Sequence, residues 1–140
     1  MKVDVTNSEQ VINKFKEFEN DHNIFFIESC SNPCGKVIDF GIMETIKKIA
    51  INTVVIVDNT WLSHVVFNPF TSNVNFVVLS LTKYYSAAQV IGGAILSNFN
   101  NEISFNDIIV WTTYYGYHVS PYNPDKIIAG LEELKNKLDE

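Results

Sequence analysis

Apolar positions along this chain alternate between a helical and a strand period, and that alternation sets the expected architecture. Val11, Ile12, Phe15 and Phe18 recur at helical spacing after Thr6-Asn7-Ser8-Glu9, with Lys14, Lys16, Glu17 and Glu19 on the other side. Thr6 predicts the N-cap and Glu9, three residues on, completes a capping box. Asp21-His22-Asn23 breaks the pattern, and Ile24-Phe25-Phe26-Ile27-Glu28 reads as a short buried strand. Asp39 predicts the cap of a second helix with Phe40, Ile42, Met43, Ile46 and Ile49 facing inward. Asn52-Thr53 then turns into a strand from Val54 to Val57, closing a parallel βαβ unit with a right-handed crossover.

Past Asp58 the pattern loosens. Trp61 to Asn75 is irregular, with a short helical piece expected around Val65 to Phe70, and His64 in this loop reads as a structural or exposed histidine. Phe76 to Leu79 is the next strand, and Val90 to Leu96 reads as another, interrupted by Gly92-Gly93, where the strand bends or something approaches its backbone. Ser104 to Trp111 reads as a helix with Thr112 to Gly116 as its exit. Asn123-Pro124 is a cap with proline at the first helical position, followed by the stripe Ile127, Ile128, Leu131, Leu134 and Leu138. Strands interleaved with helices predict an α/β fold.

Composition narrows the class. A chain of 140 residues, 46% hydrophobic, suits one domain with its own core. The net charge of −6 and ten scattered basic residues argue against nucleic acid or an anionic membrane surface as partner. No apolar run approaches the roughly 18 to 20 residues that span a bilayer, and Met1-Lys2-Val3-Asp4-Val5 has no targeting character, so the expectation is a soluble, cytoplasmic protein. Cys30 and Cys34, four apart in a chain with three histidines, make neither a zinc pattern nor a disulfide framework and read as two reduced thiols.

Candidate chemistry collects where the apolar runs end. Ligands in open α/β sheets bind outside the carboxyl ends of strands. One such end carries Glu28-Ser29-Cys30-Ser31-Asn32-Pro33-Cys34-Gly35, in which Asn32 serves a turn as readily as a site. The next carries Asp58, a cap or a site group, and the third carries Ser80-Leu81-Thr82-Lys83. Hydroxyls two apart in an extended segment point to one side and can share a phosphate. A lysine beyond a buried strand can be partly desolvated, which favours the neutral, nucleophilic amine that attacks carbonyls.

The segments Glu28-Ser29-Cys30-Ser31-Asn32-Pro33, Val57-Asp58-Asn59-Thr60 and Ser80-Leu81-Thr82-Lys83-Tyr84, in that order, resemble the E-[ST]-P-[ST]-N-P, V-D-N-T and S-x-T-K-Y motifs of the Cys/Met-metabolism pyridoxal-phosphate enzymes, the transsulfuration family. Gly92-Gly93 and Ser120-Pro121-Tyr122 fall where that family has its G-G strand and S-P-[FY] segment. The resemblance implies a three-layer, mostly parallel sheet flanked by helices, part of an aspartate aminotransferase-like large domain. It implies pyridoxal 5'-phosphate as cofactor, with Lys83 forming the internal aldimine, Asp58 on the pyridine nitrogen, Ser80 and Thr82 on the phosphate, and Asn32 near the phenolic oxygen.

On the same resemblance, residues 1–140 are a single partial cofactor-binding domain. The family's upstream phosphate loop and ring-stacking tyrosine are expected before Met1, and its C-terminal substrate domain after Glu140. Ser86-Ala87-Ala88-Gln89-Val90 replaces the usual G-H-x-D, Ala129 stands at an arginine position before Gly130, and Glu133 at a threonine position. The implied function is a truncated carbon-sulfur lyase or transferase acting on cystathionine-, homoserine- or methionine-like amino acids. It would act as a homo-oligomer or with a complementing chain. The alternative is a non-catalytic remnant or interaction module that keeps the motifs by descent.

Overall fold

The computed structural model describes residues 3–98 and 104–138, which divide into two compact units, 1–78 and 79–140. The first unit opens with α1, Ser8–Glu17. Its cap is Asn7, whose side-chain oxygen accepts from the Gln10 N–H at 3.1 Å. The expected Thr6 cap does not form, because Thr6 donates through both its backbone N–H and its hydroxyl to the Asp4 carboxylate. Val11 is the buried anchor of α1, and Phe15 meets Phe25 edge-to-face, ring centres 5.2 Å apart.

Three parallel strands carry this unit: β1, Asn23–Glu28, β2, Thr53–Asp58, and β3, Phe76–Ser80. β2 lies between the other two, with Glu28 opposite Asp58 and Asp58 opposite Val78. Thr53, Val55 and Val57 of β2 are buried, whereas Val54, Ile56 and Asp58 on the other face are half-buried. The same division runs through β1, and here the expectation of a fully buried strand fails. Ile27 is buried, but Ile24 and Phe26 are 74% and 59% exposed, because helix packing covers only the Phe25 and Ile27 side.

α2, Ile42–Ile49, buries Ile42, Met43 and Ile46, and Phe40 is buried just ahead of it. Asp39 is not its cap: its carboxylate accepts from the Gly41 N–H at 2.9 Å, a turn that precedes the helix. Near the end of α2, the Lys47 ammonium donates to the Thr53 carbonyl and to Asn75 Oδ1. Asn75 also accepts from the Val55 N–H through its side chain and donates its own N–H to the Val55 carbonyl. One polar knot therefore ties α2 to the start of β2 and the entry to β3. Burial pushes the Lys47 pKa below its ordinary value. The helical piece expected from Val65 to Phe70 is split into α3, Ser63–Val66, and a 3-10 turn, Pro69–Ser72, which the Asn68 side chain caps.

In the second unit, β4, Gly93–Ser97, joins the sheet beside β3. It begins three residues later than expected, because Gly92 is held by the turn after β3. α4, Phe105–Tyr114, continues through Thr112 and Thr113, where the expected helix had already ended, and none of its residues is buried. Ser104 stands at its cap position without a side-chain bond. α5, Pro124–Leu138, starts at the expected proline. Ile127 is buried, but Ile128 and Leu131 of the expected stripe are exposed. Gly130 is required by close approach: a Cβ there would fall 1.5 Å from the Tyr85 carbonyl oxygen. The whole is an α/β fold with a mostly parallel sheet flanked by helices.

Three substitutions probe this packing. Gly130→Ala overpacks α5 against the Tyr85 backbone and should cost roughly 1–3 kcal/mol in denaturant unfolding. Gly35→Ala, at φ +66° in open space, should cost only the strain of a left-handed residue, about 1–2 kcal/mol. Lys47→Met removes donors from the Thr53 carbonyl and Asn75, and at pH 7 should lower stability by about 1–3 kcal/mol. Because the folded-state Lys47 pKa is depressed, the unfolded chain binds more protons as pH approaches 10.5 from below. The native chain should therefore gain stability relative to Lys47→Met as pH climbs through that window, in paired urea titrations.

Candidate active site

The candidate residues divide between the units. In the first, Glu28 and Asp58 end β1 and β2 side by side on the half-open face of the sheet. Two carboxylates so placed repel unless each is stabilised locally. Each is held by the backbone of the loop that follows it. Glu28 Oε2 accepts from the Asn32 N–H at 3.2 Å, and Asp58 Oδ1 accepts from the Thr60 N–H at 2.9 Å. The Asp58 carbonyl meanwhile accepts from the Ser29 N–H at 2.9 Å, so main chain fixes the carboxylate's base on the β1 side.

Asn32 sits exposed in a tight hairpin, closed by the Ser31 N–H to the Lys36 carbonyl and the Gly35 N–H to the Ser31 carbonyl. The peptide joining it to Pro33 is cis. Cys30, bridged antiparallel to Val37, is buried, and Cys34 is exposed; both are free thiols. Sequence reasoning assigned no task to Asn59, yet it is 1% exposed. Its side-chain amide donates to the Ser63 and Phe67 carbonyls, 2.9 Å each. A fully buried amide directly after the carboxylate was visible only as the third letter of a motif.

In the second unit, β3 ends at Ser80, so Thr82 lies in the following turn and not in the extended segment expected of it, and Lys83 follows in the same turn. Thr82 does not stand free beside Ser80. Its hydroxyl accepts from the Gly92 N–H at 3.0 Å and donates to the Gly92 carbonyl at 3.3 Å. The Leu81 N–H reaches the same Gly92 carbonyl at 2.9 Å, and Ala88 N–H and Ser86 Oγ both donate to the Thr82 carbonyl. The loop carrying the lysine is thereby stitched back on itself. Lys83 is exposed, so the desolvation expected from its place after a buried strand is absent: it stands three residues past the strand's last one, where the chain has turned toward solvent.

The complete chain, residues 1–140, matches the model of the Cys/Met metabolism PLP-dependent enzyme family. The chain belongs to that family. Its relatives include an L-methionine gamma-lyase of Fusobacterium nucleatum subsp. nucleatum, 29% identical over 140 residues, which cover 98% of this chain and 34% of the relative. A cystathionine beta-lyase of Saccharomyces cerevisiae is 33% identical over 116 residues, 80% of this chain and 24% of its own. Among solved structures, cystathionine gamma synthase from Xanthomonas oryzae pv. oryzae, in complex with aminoacrylate and cysteine, superposes with a TM-score of 0.83 at 25% identity. The match covers 97% of this chain and 34% of that one. The chain thus spans about a quarter to a third of the length of these relatives. Pyridoxal-phosphate dependence defines the family, and no helix among the described residues is long and apolar enough to cross a membrane.

Proposed function

We propose that this chain contributes the cofactor-holding segment of a pyridoxal-phosphate-dependent carbon-sulfur lyase or transferase, with Lys83 as the covalent anchor. The observation that carries the reading is the ordered set of motif segments ending in Asp58 and in Lys83, in a chain that matches a family defined by that cofactor. The donor set suits the group: Asp58 keeps one carboxylate oxygen on Thr60 and has a second for a protonated ring nitrogen. Ser80 occupies the motif position assigned to the phosphate, exposed Lys83 presents its amine to an aldehyde, and Asn32 stands within the hairpin after β1. When bound, pyridoxal phosphate supplies an electron-withdrawing ring that disperses negative charge developing on an amino-acid substrate.

This chain's residues then divide the work. Asp58 would hold a proton at the ring nitrogen and so maintain that electron demand. The Lys83 amine would accept and return a proton at its Nζ. Thr82 acts through its two bonds to Gly92, which keep the Lys83 turn closed, as well as through any phosphate contact. Substrates on this reading are sulfur-containing amino acids, in line with the methionine and cystathionine in the relatives' names.

Titrating the purified chain with pyridoxal phosphate should produce a visible absorbance band that Lys83→Ala abolishes. Borohydride should fix the label on Lys83 by peptide mapping. Asp58→Asn should weaken uptake about tenfold or more, and Thr82→Val should weaken it less than Lys83→Ala. A colourless chain with no trapped adduct overturns the reading.

A second reading, an interaction module working with another copy or a complementing chain, is favoured by the exposed Ile24 and Phe26 on an edge strand. Sedimentation velocity should show self-association that Phe26→Glu reduces. A native chain that is monomeric at every concentration tested counts against this second reading.

A further inference from the structure

Asn59 is held at three points. Its N–H donates to the Val78 carbonyl of β3 at 3.0 Å, and its amide nitrogen bridges the Ser63 carbonyl, where α3 begins, and the Phe67 carbonyl, where α3 ends. Ser63, whose N–H returns to the Asn59 carbonyl at 2.8 Å, is itself buried and sits at positive φ. An apolar side chain fitted to the space would fill the same interior, so packing alone does not call for an amide here. The amide is also not wholly satisfied, since its Oδ1 is buried without a hydrogen-bond partner among the described residues. A buried orphan acceptor of this kind points to a role beyond stability.

The residue on either side of Asn59 completes the picture. Asp58 precedes it, and Thr60, whose N–H meets the Asp58 carboxylate at 2.9 Å, follows it. Clamping Asn59 to β3 and to both ends of α3 therefore fixes the direction of that N–H, and with it the carboxylate rotamer. We infer that Asn59 is a positioning residue that aims the Asp58 carboxylate by pinning the 59–67 loop. The part concerning cofactor rests on the reading above. The part concerning Asp58 does not.

The test uses amide hydrogen exchange on the cofactor-free chain, followed by pyridoxal-phosphate titration. In Asn59→Leu, Thr60 N–H exchange should accelerate by about tenfold or more, while Val55 and Val57 of β2 keep their native protection. Cofactor affinity should fall by a similar factor or more. Asn59→Ser, smaller and retaining one donor, should fall between Asn59→Leu and the native chain, and is read in the same way if Asn59→Leu does not fold. Unchanged Thr60 exchange overturns the inference. So does an acceleration spread evenly over β2, or failure of both variants to fold, since each assigns Asn59 to global stability. If the native chain takes up no cofactor, the functional reading fails while the exchange data still decide the role of Asn59.

Discussion

The pairing of β2 on both of its edges is the constraint on which the first unit's chemistry depends. The ladder to β1 runs from Asn23 with Thr53 to Glu28 with Asp58, and is extended by the Ser29 N–H to the Asp58 carbonyl. On the other edge it runs from Ile56 with Phe76 to Asp58 with Val78, and is extended by the Asn59 N–H to the Val78 carbonyl. Parallel strands bring every carboxyl end to one side of a sheet. Glu28 and Asp58, the polar residues that follow Ile27 and Val57, are therefore held by backbone bonds, which do not depend on the rotamer of any site residue.

Stability and openness are distributed unequally around that ladder. The covered face buries Ile27, Val55, Val57 and Val77 with Ile42, Met43 and Ile46, and the Lys47 knot joins three elements at the amino end of β2. The other face leaves Ile24 and Phe26 to solvent, and it is the face on which Glu28 and Asp58 stand. A parallel sheet is ordinarily covered on both sides.

The second unit solves a different problem, that of holding a short loop without a ladder. The Thr82 hydroxyl exchanges two hydrogen bonds with Gly92 across ten residues, and the Ser86 hydroxyl lies 3.2 Å from both the Thr82 and Val90 carbonyls. Asn123 reaches the Ile91 carbonyl from the start of α5, and Gly130 allows α5 to lie directly on the Tyr85 backbone. A hydroxyl engaged in this way organises the lysine turn whatever else it touches.

The order and type of the strands, the proline start of α5 and the motif set that marks the family were legible in the residues themselves, because they depend on periodicity and local chemistry. The caps were legible only in part. Asp4 captures Thr6 and leaves Asn7 to cap α1, while Asp39 turns onto Gly41 ahead of α2, choices made by distances between near neighbours. The sequence by itself determined which side chains would be available at the strand ends. Only the tertiary structure decided that Thr82 would be drawn to Gly92, that Lys83 would be exposed, that Ile24 and Phe26 would lie open, and that Asn59 would be buried behind Asp58. Each of those depends on which backbone groups lack a partner after packing and on which face a helix covers, and neither is written in the local run of residues.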